Sequence, residues 1–124
     1  MIESKDAISI HELLIDKFGG RKGIRDVSLL ESALAKPFQT FDQKDLYPTP
    51  IDKAAALLES ILINHPFIDG NKRIGYVLMR LLLMEYGYDI SASLDEKYDF
   101  VLKIAQGNFR HPDIVNWLIQ KTTK

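Results

Sequence analysis

The chain has 124 residues, of which 46% are hydrophobic and 27% charged, and its net charge is −1. This length accommodates one domain over residues 1–124, and the composition is that of an ordinary globular protein. The near-neutral charge gives no basis for direct DNA binding or for attachment to a membrane surface. Since the sequence contains no cysteine, disulfides and thiol chemistry are excluded. Because the first residues form no apolar signal region, we expect a cytoplasmic protein.

Apolar residues recur at helical spacing along most of the chain, and no stretch shows a strictly alternating strand pattern. The periodicity, with Gly and Pro at the breaks, predicts six helices, over residues 5–18, 26–36, 50–64, 71–86, 94–106 and 112–121. Ser4, Thr49 and Ser93 are the predicted N-caps of the first, third and fifth helices. Asp26 or Ser28 is expected to cap the second helix. The expected fold is therefore all-α.

Three further features of the sequence also allow predictions. His11 lies within the first helix, and we interpret it as a half-exposed packing residue because no metal-ligand spacing surrounds it. Residues 21–25 form a basic, glycine-flanked loop, for which a solvated connection is the favoured interpretation and a phosphate or target contact the alternative. In the fifth helix, Tyr98, Val101 and Leu102 are expected to face inward.

The run from Ile74 to Met84 is apolar on nearly all sides, which predicts a helix buried at the centre of the domain. It is too short to span a bilayer, which needs about 20 residues. Asp69-Gly70-Asn71, just before it, is a predicted turn, because Asp, Asn and Gly tolerate left-handed backbone. Pro66 is expected to force His65 out of helical geometry towards an extended conformation, and Phe67 is expected to anchor the loop in the core.

Lys72 and Arg73 lie in the first turn of this helix, where the helix dipole disfavours cations by about 0.3–1 kcal/mol each. A local rule broken without visible compensation indicates a functional site. Unpaired backbone N–H groups, a Gly-containing turn and two cations together are suited to binding phosphate. We therefore expect an anion at this helix start.

Two neighbouring side chains extend this interpretation. Asp69 offers hard oxygen ligands for Mg²⁺ on such a phosphate, and His65 can take a proton from an attacking hydroxyl. A base, a metal ligand and a set of phosphate-binding groups are the minimum needed for group transfer from a nucleotide. Each feature alone has an ordinary explanation as a loop residue, a turn or a solvated helix end. Their convergence over residues 65–73 favours the functional interpretation.

The segment His65-Pro66-Phe67-Ile68-Asp69-Gly70-Asn71-Lys72-Arg73 resembles the Fic/Doc signature, and every fixed position of that signature is matched. Two positions depart from the Fic branch. Lys72 stands where most Fic enzymes carry Gly, and Tyr76 stands where they carry a second Arg. Both departures are typical of the Doc (death-on-curing) branch, which contains the toxins of toxin–antitoxin pairs. Residues 18–34 are also similar to that branch, so the resemblance covers most of the chain.

The resemblance implies a compact bundle of about six helices around a central buried helix. It also implies a small β flap within residues 38–48, for which an ordinary surface loop is the alternative. The implied chemistry is nucleotide-dependent transfer to a hydroxyl side chain of a target protein. In it, His65 is the general base and Asp69 holds Mg²⁺. The residues implied to bind and stabilise the phosphates of ATP are Gly70, Asn71, Lys72 and Arg73.

The transferred group is the open point. Fic enzymes transfer AMP, whereas the Doc branch is a kinase that binds the nucleotide in the reversed sense and phosphorylates a translation elongation factor. Lys72 fills space that a diphosphate would occupy, and its cation can steady a transferred phosphoryl group. We therefore favour phosphoryl transfer over AMP transfer (AMPylation). A non-catalytic module that binds a peptide or a nucleotide is the further alternative.

The resemblance also implies a regulator. Some Fic proteins restrain themselves with a helix in which Glu is followed by Gly or Asn, and none of the glutamates in this chain has that neighbour. We therefore expect an antitoxin in trans, whose tail docks in an apolar groove.

Overall fold

The computed structural model describes residues 2–124. Over these residues the chain forms six α-helices, one short 3₁₀ helix and two pairs of very short antiparallel strands. The helices are α1 (Ser4–Phe18), α2 (Val27–Ala35), α3 (Pro50–Asn64), α4 (Asn71–Glu85), α5 (Leu94–Ala105) and α6 (His111–Lys121). The strands are β1 (Thr40–Phe41), β2 (Lys44–Asp45), β3 (Asp89–Ile90) and β4 (Thr122–Thr123). The predicted all-α bundle of about six helices is confirmed.

Each predicted helix boundary lies within one residue of the observed one, because local capping chemistry sets these ends. Thr49 Oγ1 accepts a hydrogen bond from the Asp52 N–H at 3.0 Å, and Ser93 forms the predicted capping box. Asp26 caps α2. The N-cap of α1 was predicted wrongly as Ser4. Glu3 occupies that position, and its N–H donates to Asp6 Oδ2 at 3.3 Å.

The core is centred on two adjoining helices, α3 and α4. The predicted central helix, α4, buries one face, with Ile74, Leu78 and Met79 fully enclosed. The preceding helix α3 is buried over more of its circumference, including the unbroken run Lys53–Leu58. Gly75 allows the two helices to approach closely, since a Cβ there would lie 3.2 Å from Ile61 Cγ2. The central position predicted for α4 is thus shared with α3.

Helices α5 and α6 close the bundle through an aromatic cluster. The rings of Phe100 and Trp117 stack at 3.8 Å between centroids, and Phe109 meets Phe100 edge-on at 6.3 Å. The inward face of α5 therefore carries Phe100 and Ile104, together with the predicted Val101. Tyr98 was predicted wrongly as an inward residue, since it is 69% exposed. The stacking of Phe100 on Trp117 of α6 fixes the rotation of α5 about its own axis. Periodicity alone did not predict this rotation.

The small β flap implied by the resemblance is present as the β1–β2 hairpin. Its turn residues Asp42 and Gln43 both have positive φ, which suits the twist of a two-residue hairpin loop. The buried Lys53 donates to Asp45 and to the Tyr47 carbonyl, and this anchors the hairpin to the first turn of α3. The hairpin is therefore anchored about 18 Å along the helix axis from His65, because His65 follows Lys53 by twelve residues.

The second strand pair was not predicted, because no alternating strand pattern marks the segment around Asp89. Strand β3 pairs with β4 at the end of the described chain, with Asp89 opposite Thr123 and Ile90 opposite Thr122. Arg80 on α4 binds the Asp89 carboxylate with two hydrogen bonds, at 2.8 and 3.0 Å. This pairing fastens the final segment of the chain to α4. Within residues 2–124, no helix combines the length and the apolarity needed to cross a membrane.

The ion pair between Arg80 and Asp89 predicts an acid-dependent contribution to stability. The hydrogen bonds from Arg80 lower the pKa of Asp89 to about 2 from its ordinary value of 3.8. A lowered folded-state pKa adds stability above the ordinary value, and this stability is lost as the pH falls towards 2. We expect Asp89→Asn to flatten the pH dependence of the unfolding free energy between about pH 5 and 2.

Both side chains are nearly half exposed, so the effect should stay below about 1 kcal/mol. Urea denaturation at several pH values measures it, with Asp113→Asn as the control for an acidic residue elsewhere on the surface. Equal pH profiles for wild type and Asp89→Asn would show that the pair contributes nothing to acid stability.

Candidate functional site

The segment between α3 and α4 begins with a strained residue. His65 has φ 50° and ψ 61°, the left-handed region that residues other than glycine rarely adopt. We predicted an extended conformation because Pro66 follows, and that prediction is wrong. The left-handed turn ends α3, with the His65 N–H donating to the Ile61 carbonyl at 3.1 Å. Such strain, about 1–3 kcal/mol, persists only where surrounding contacts determine the conformation.

Arg25 supplies some of the contacts that hold His65 in this conformation. Its Nε donates to the His65 carbonyl at 2.7 Å, and its Nη2 donates to the Asn64 carbonyl. These carbonyls lie at the C-terminal end of α3, where the helix has no N–H donors left for them and where a cation is favoured. Arg25 therefore fixes the residue that carries the predicted base.

The backbone of the basic loop also docks on the signature segment. The N–H groups of Arg25 and Asp26 both donate to the Pro66 carbonyl, and the Ile68 N–H donates to the Gly23 carbonyl at 3.1 Å. The favoured interpretation of residues 21–25 as a merely solvated connection is wrong. Its side chains are largely exposed, but its backbone is hydrogen-bonded to the signature segment.

Phe67 anchors the middle of the segment, as predicted, and is 1% exposed. Asn71 fixes its backbone, since Oδ1 accepts from the Phe67 N–H and Nδ2 donates to the Phe67 carbonyl, both at 3.0 Å. His11 stacks on the Phe67 ring at 4.0 Å between centroids, with 11° between the planes. His11 is 2% exposed, so its interpretation as half-exposed is wrong.

Asp69 lies at the far end of the segment with an ionised carboxylate. Its Oδ2 accepts the Arg21 N–H at 3.0 Å, and its Oδ1 accepts the Gly70 N–H at 2.8 Å. These two backbone hydrogen bonds hold the pKa of the Asp69 carboxyl below its ordinary value. The Asp69 carbonyl is in turn hydrogen-bonded by His11 Nε2 at 2.7 Å.

Helix α4 starts immediately afterwards with no side-chain cap. Gly70 is its N-cap, in the left-handed conformation with φ 74°, and glycine has no side chain that could cap the helix. The first-turn N–H groups of Asn71, Lys72 and Arg73 have no acceptor within the helix. Over residues 2–124 no carboxylate forms a salt bridge with Lys72 or Arg73. The Arg73 guanidinium lies over the Phe18 ring at 4.8 Å. Donors and cations at this helix start are therefore available to an anion.

One cleft of about 1030 Å³ is lined by every residue predicted for the site: His65, Asp69, Gly70, Asn71, Lys72 and Arg73. The remaining walls come from three helices and are largely apolar, with Leu14, Phe18, Tyr76, Val77, Leu94, Tyr98, Val101 and Leu102. The His65 side chain is exposed, and no described residue hydrogen-bonds to its imidazole. The cleft thus combines a free imidazole, an ionised carboxylate and an anion-binding helix start.

The residues around Asp69 fit Mg²⁺ only in one binding mode. Among residues 2–124, no three His, Cys, Asp or Glu side chains are grouped to hold a metal ion. Mg²⁺ is commonly held by one or two carboxylates together with substrate phosphates and water. Asp69 suits that mode, because each carboxylate oxygen accepts one N–H and retains a lone pair. The donor set therefore fits Mg²⁺ bound with a phosphate, and not a cage made by protein alone.

The comparison with known proteins identifies the family of this chain. The sequence model of the Fic/DOC family matches residues 1–83, which include the whole signature segment and most of α4. The chain belongs to the Fic/DOC family.

Two relatives illustrate the similarity. The chain is 42% identical over 78 residues to Toxin Doc of Mycolicibacterium smegmatis, an alignment that covers 63% of this chain and 60% of the toxin. It is 36% identical over 87 residues to a Fido domain-containing protein of Dictyostelium discoideum, covering 65% of this chain and 61% of that protein. This chain thus spans about 60% of the length of these relatives.

Sequence reasoning missed two residues that build the site, His11 and Arg25. Neither has a local signal, because their partners lie 58 and 39–40 residues away in the chain. Two glycines of this loop region were the available hint of a close contact: Gly20 precedes residues 21–25 and Gly23 lies within them. Both have positive φ and closely approach the signature segment.

The hydrogen bonds of Arg25 predict a loss of stability when they are removed. Arg25→Met keeps most of the aliphatic chain but leaves the carbonyls of Asn64 and His65 without this donor. We expect a loss of about 1–3 kcal/mol in the free energy of unfolding, measured by urea denaturation. Lys22→Met is the matched control, because it removes a cation of the same loop whose ion pair with Asp16 is exposed. Equal losses in the two variants would contradict the role given to Arg25.

Proposed function

We propose that the protein is a Doc-like toxin that transfers a phosphoryl group from ATP to a hydroxyl side chain of a target protein. The observation that carries this proposal is the joint position of His65, Asp69 and the uncapped start of α4 in one cleft. A translation elongation factor is the first candidate target, because the Doc branch that the signature resembles acts on one. Such a target would place the activity in the cytoplasm.

The start of α4 supplies the proposed phosphate site. The N–H groups of Asn71, Lys72 and Arg73 point out of the helix end, and the helix dipole adds a partial positive charge there. The side chains of Lys72 and Arg73 add two cations that form no salt bridge within residues 2–124. In phosphoryl transfer such groups position the nucleotide and stabilise the charge on the transferred group. Gly70 lets the backbone approach the phosphate without a side chain.

His65 is the proposed general base. The hydroxyl oxygen of the target forms a bond to the γ-phosphorus, the bond to the β–γ bridging oxygen breaks, and ADP leaves. The hydroxyl proton passes to the imidazole of His65, whose ring is exposed and unbonded in the described chain. Mg²⁺, where bound at Asp69 with the phosphates, supplies further positive charge.

Two positions favour phosphoryl transfer over AMP transfer. Lys72 brings a side chain and a charge to a position that is Gly in most Fic enzymes. Tyr76 lies in the cleft wall where those enzymes carry a second Arg, and its hydroxyl is buried and without a hydrogen-bond partner in the described chain. A neutral phenol cannot replace the charge of a guanidinium on a diphosphate. These residues leave the cleft with one arginine fewer for an AMP donor.

The partner proposed to restrain the toxin is an antitoxin supplied in trans. The relative from M. smegmatis carries the name Toxin Doc, and toxins of this kind act in pairs with antitoxins. The cleft offers the apolar groove expected for such a partner, since Leu94 and Tyr98 of α5 and Phe18 of α1 are all exposed along it. Exposed apolar surface of this kind is typical of a protein-binding site.

The intact mass of an elongation factor after incubation with this protein, ATP and Mg²⁺ tests the proposed reaction. Phosphoryl transfer adds about 80 Da to the target, whereas AMP transfer adds about 329 Da. We expect the gain of about 80 Da, abolished in His65→Ala.

His111→Ala is the matched control, because it removes a histidine outside the cleft and should leave the gain unchanged. A gain of about 329 Da would establish AMP transfer instead. With no gain, the melting temperature separates the alternatives, since millimolar ATP and Mg²⁺ should raise it if a nucleotide site exists. The absence of any shift would favour a non-catalytic binding module.

Growth of bacteria expressing the protein tests the toxin proposal separately. We expect induction of wild type and of His111→Ala to arrest growth and His65→Ala to be harmless, since toxicity should require the base. Equal growth with wild type and His65→Ala would contradict the proposal.

A further inference from the structure

A buried histidine of α1, His11, contacts the signature segment at two points and has no part in the chemistry described above. It is 2% exposed, which is unusual for a polar side chain unless hydrogen bonding satisfies it. Its Nε2 lies 2.7 Å from the Asp69 carbonyl oxygen, and its ring stacks on Phe67. It thus reaches both ends of the turn that precedes α4.

The hydrogen bond to the Asp69 carbonyl requires a proton on one ring nitrogen of His11. A carbonyl oxygen only accepts, so Nε2 must carry the proton for the bond to form. A side chain without a donor at this point would leave the Asp69 carbonyl unsatisfied by protein.

The neighbouring contacts show that α1 packs closely against this turn. A Cβ at Gly70 would lie 3.2 Å from Ile15 Cδ1 and 3.6 Å from His11 Nε2. His11 and Ile15 are four residues apart and therefore share one face of α1. This face contacts the backbone that immediately precedes the free N–H groups of α4.

We propose that His11 is a positioning residue for the phosphate site, which rests on the proposed function. Its hydrogen bond to the Asp69 carbonyl fixes the peptide between Asp69 and Gly70. That peptide orients the Asp69 carboxylate, which accepts the Gly70 N–H, and sets where the first turn of α4 begins. Preorganised donors of this kind lose much of their effect when displaced by as little as 1 Å.

Two substitutions separate the hydrogen bond from the packing. His11→Phe keeps an aromatic ring on Phe67 but removes the donor, whereas His11→Gln keeps an N–H donor without the ring. The first readout is amide hydrogen exchange at Gly70, whose N–H is bonded to Asp69 Oδ1, and this readout needs no ligand. We expect exchange about tenfold faster in His11→Phe than in wild type and within about threefold of wild type in His11→Gln.

The second readout is the affinity for ATP with Mg²⁺, measured by calorimetry. We expect it to fall about tenfold in His11→Phe and to be largely restored in His11→Gln, whatever the order of their melting temperatures. A merely structural role would make both readouts follow the melting temperature.

Exchange at Gly70 decides the positioning role even if the proposed function fails. If wild type binds no ATP, the proposed function is wrong, yet faster exchange confined to His11→Phe still supports positioning by His11. Wild-type exchange in His11→Phe, or exchange that follows stability alone, would overturn the inference.

Discussion

The structure depends on a reversal of the chain between two buried helices. Helix α3 ends at Asn64 and α4 starts at Asn71, and the connection has left-handed residues at both ends, His65 and Gly70. Gly70 adopts this conformation freely, but His65 does not, so contacts from elsewhere must hold it. Arg25 holds the α3 end, Asn71 holds the middle through Phe67, and the α1 face holds the α4 end. The reversal places a free imidazole beside free helix N–H groups, which is why the site lies here.

The charges at the start of α4 follow from the same reversal. Two cations at a helix N-terminus oppose the helix dipole, and stability alone does not select such an arrangement. Asp69 offsets part of this charge, since its ionised carboxylate is held beside the helix start by two backbone N–H groups. Arg73 gains a contact over the Phe18 ring, but Lys72 has no comparable partner in the described chain. The remaining positive charge is what a bound phosphate would neutralise.

The helices, most of their caps and the convergence of residues 65–73 on one cleft could be predicted because their determinants are local. Thr49 and Ser93 act within three residues of themselves, and residues 65–73 are contiguous, so periodicity and spacing report them directly. The contacts that hold the site are not local. Arg25, like His11, acts on a carbonyl about 40 or more residues away, and β3 pairs across α5 and α6 with the last residues of the chain. Even the local expectation for His65 failed, because these distant contacts outweighed the preference set by Pro66.

The cleft has two chemically different halves with different origins in the sequence. The anion-binding half, built from the signature segment and α1, lies within residues 1–83, the part shared with the Fic/DOC family. The apolar wall from α5, including Leu94 and Tyr98, lies beyond that part. Hydrogen bonding and charge constrain the first half closely, since displacing one donor would alter the proposed phosphate site. Shape and apolar area constrain the second half loosely. The wall of α5 can therefore be adapted to a protein partner while the chemistry of the signature segment stays unchanged.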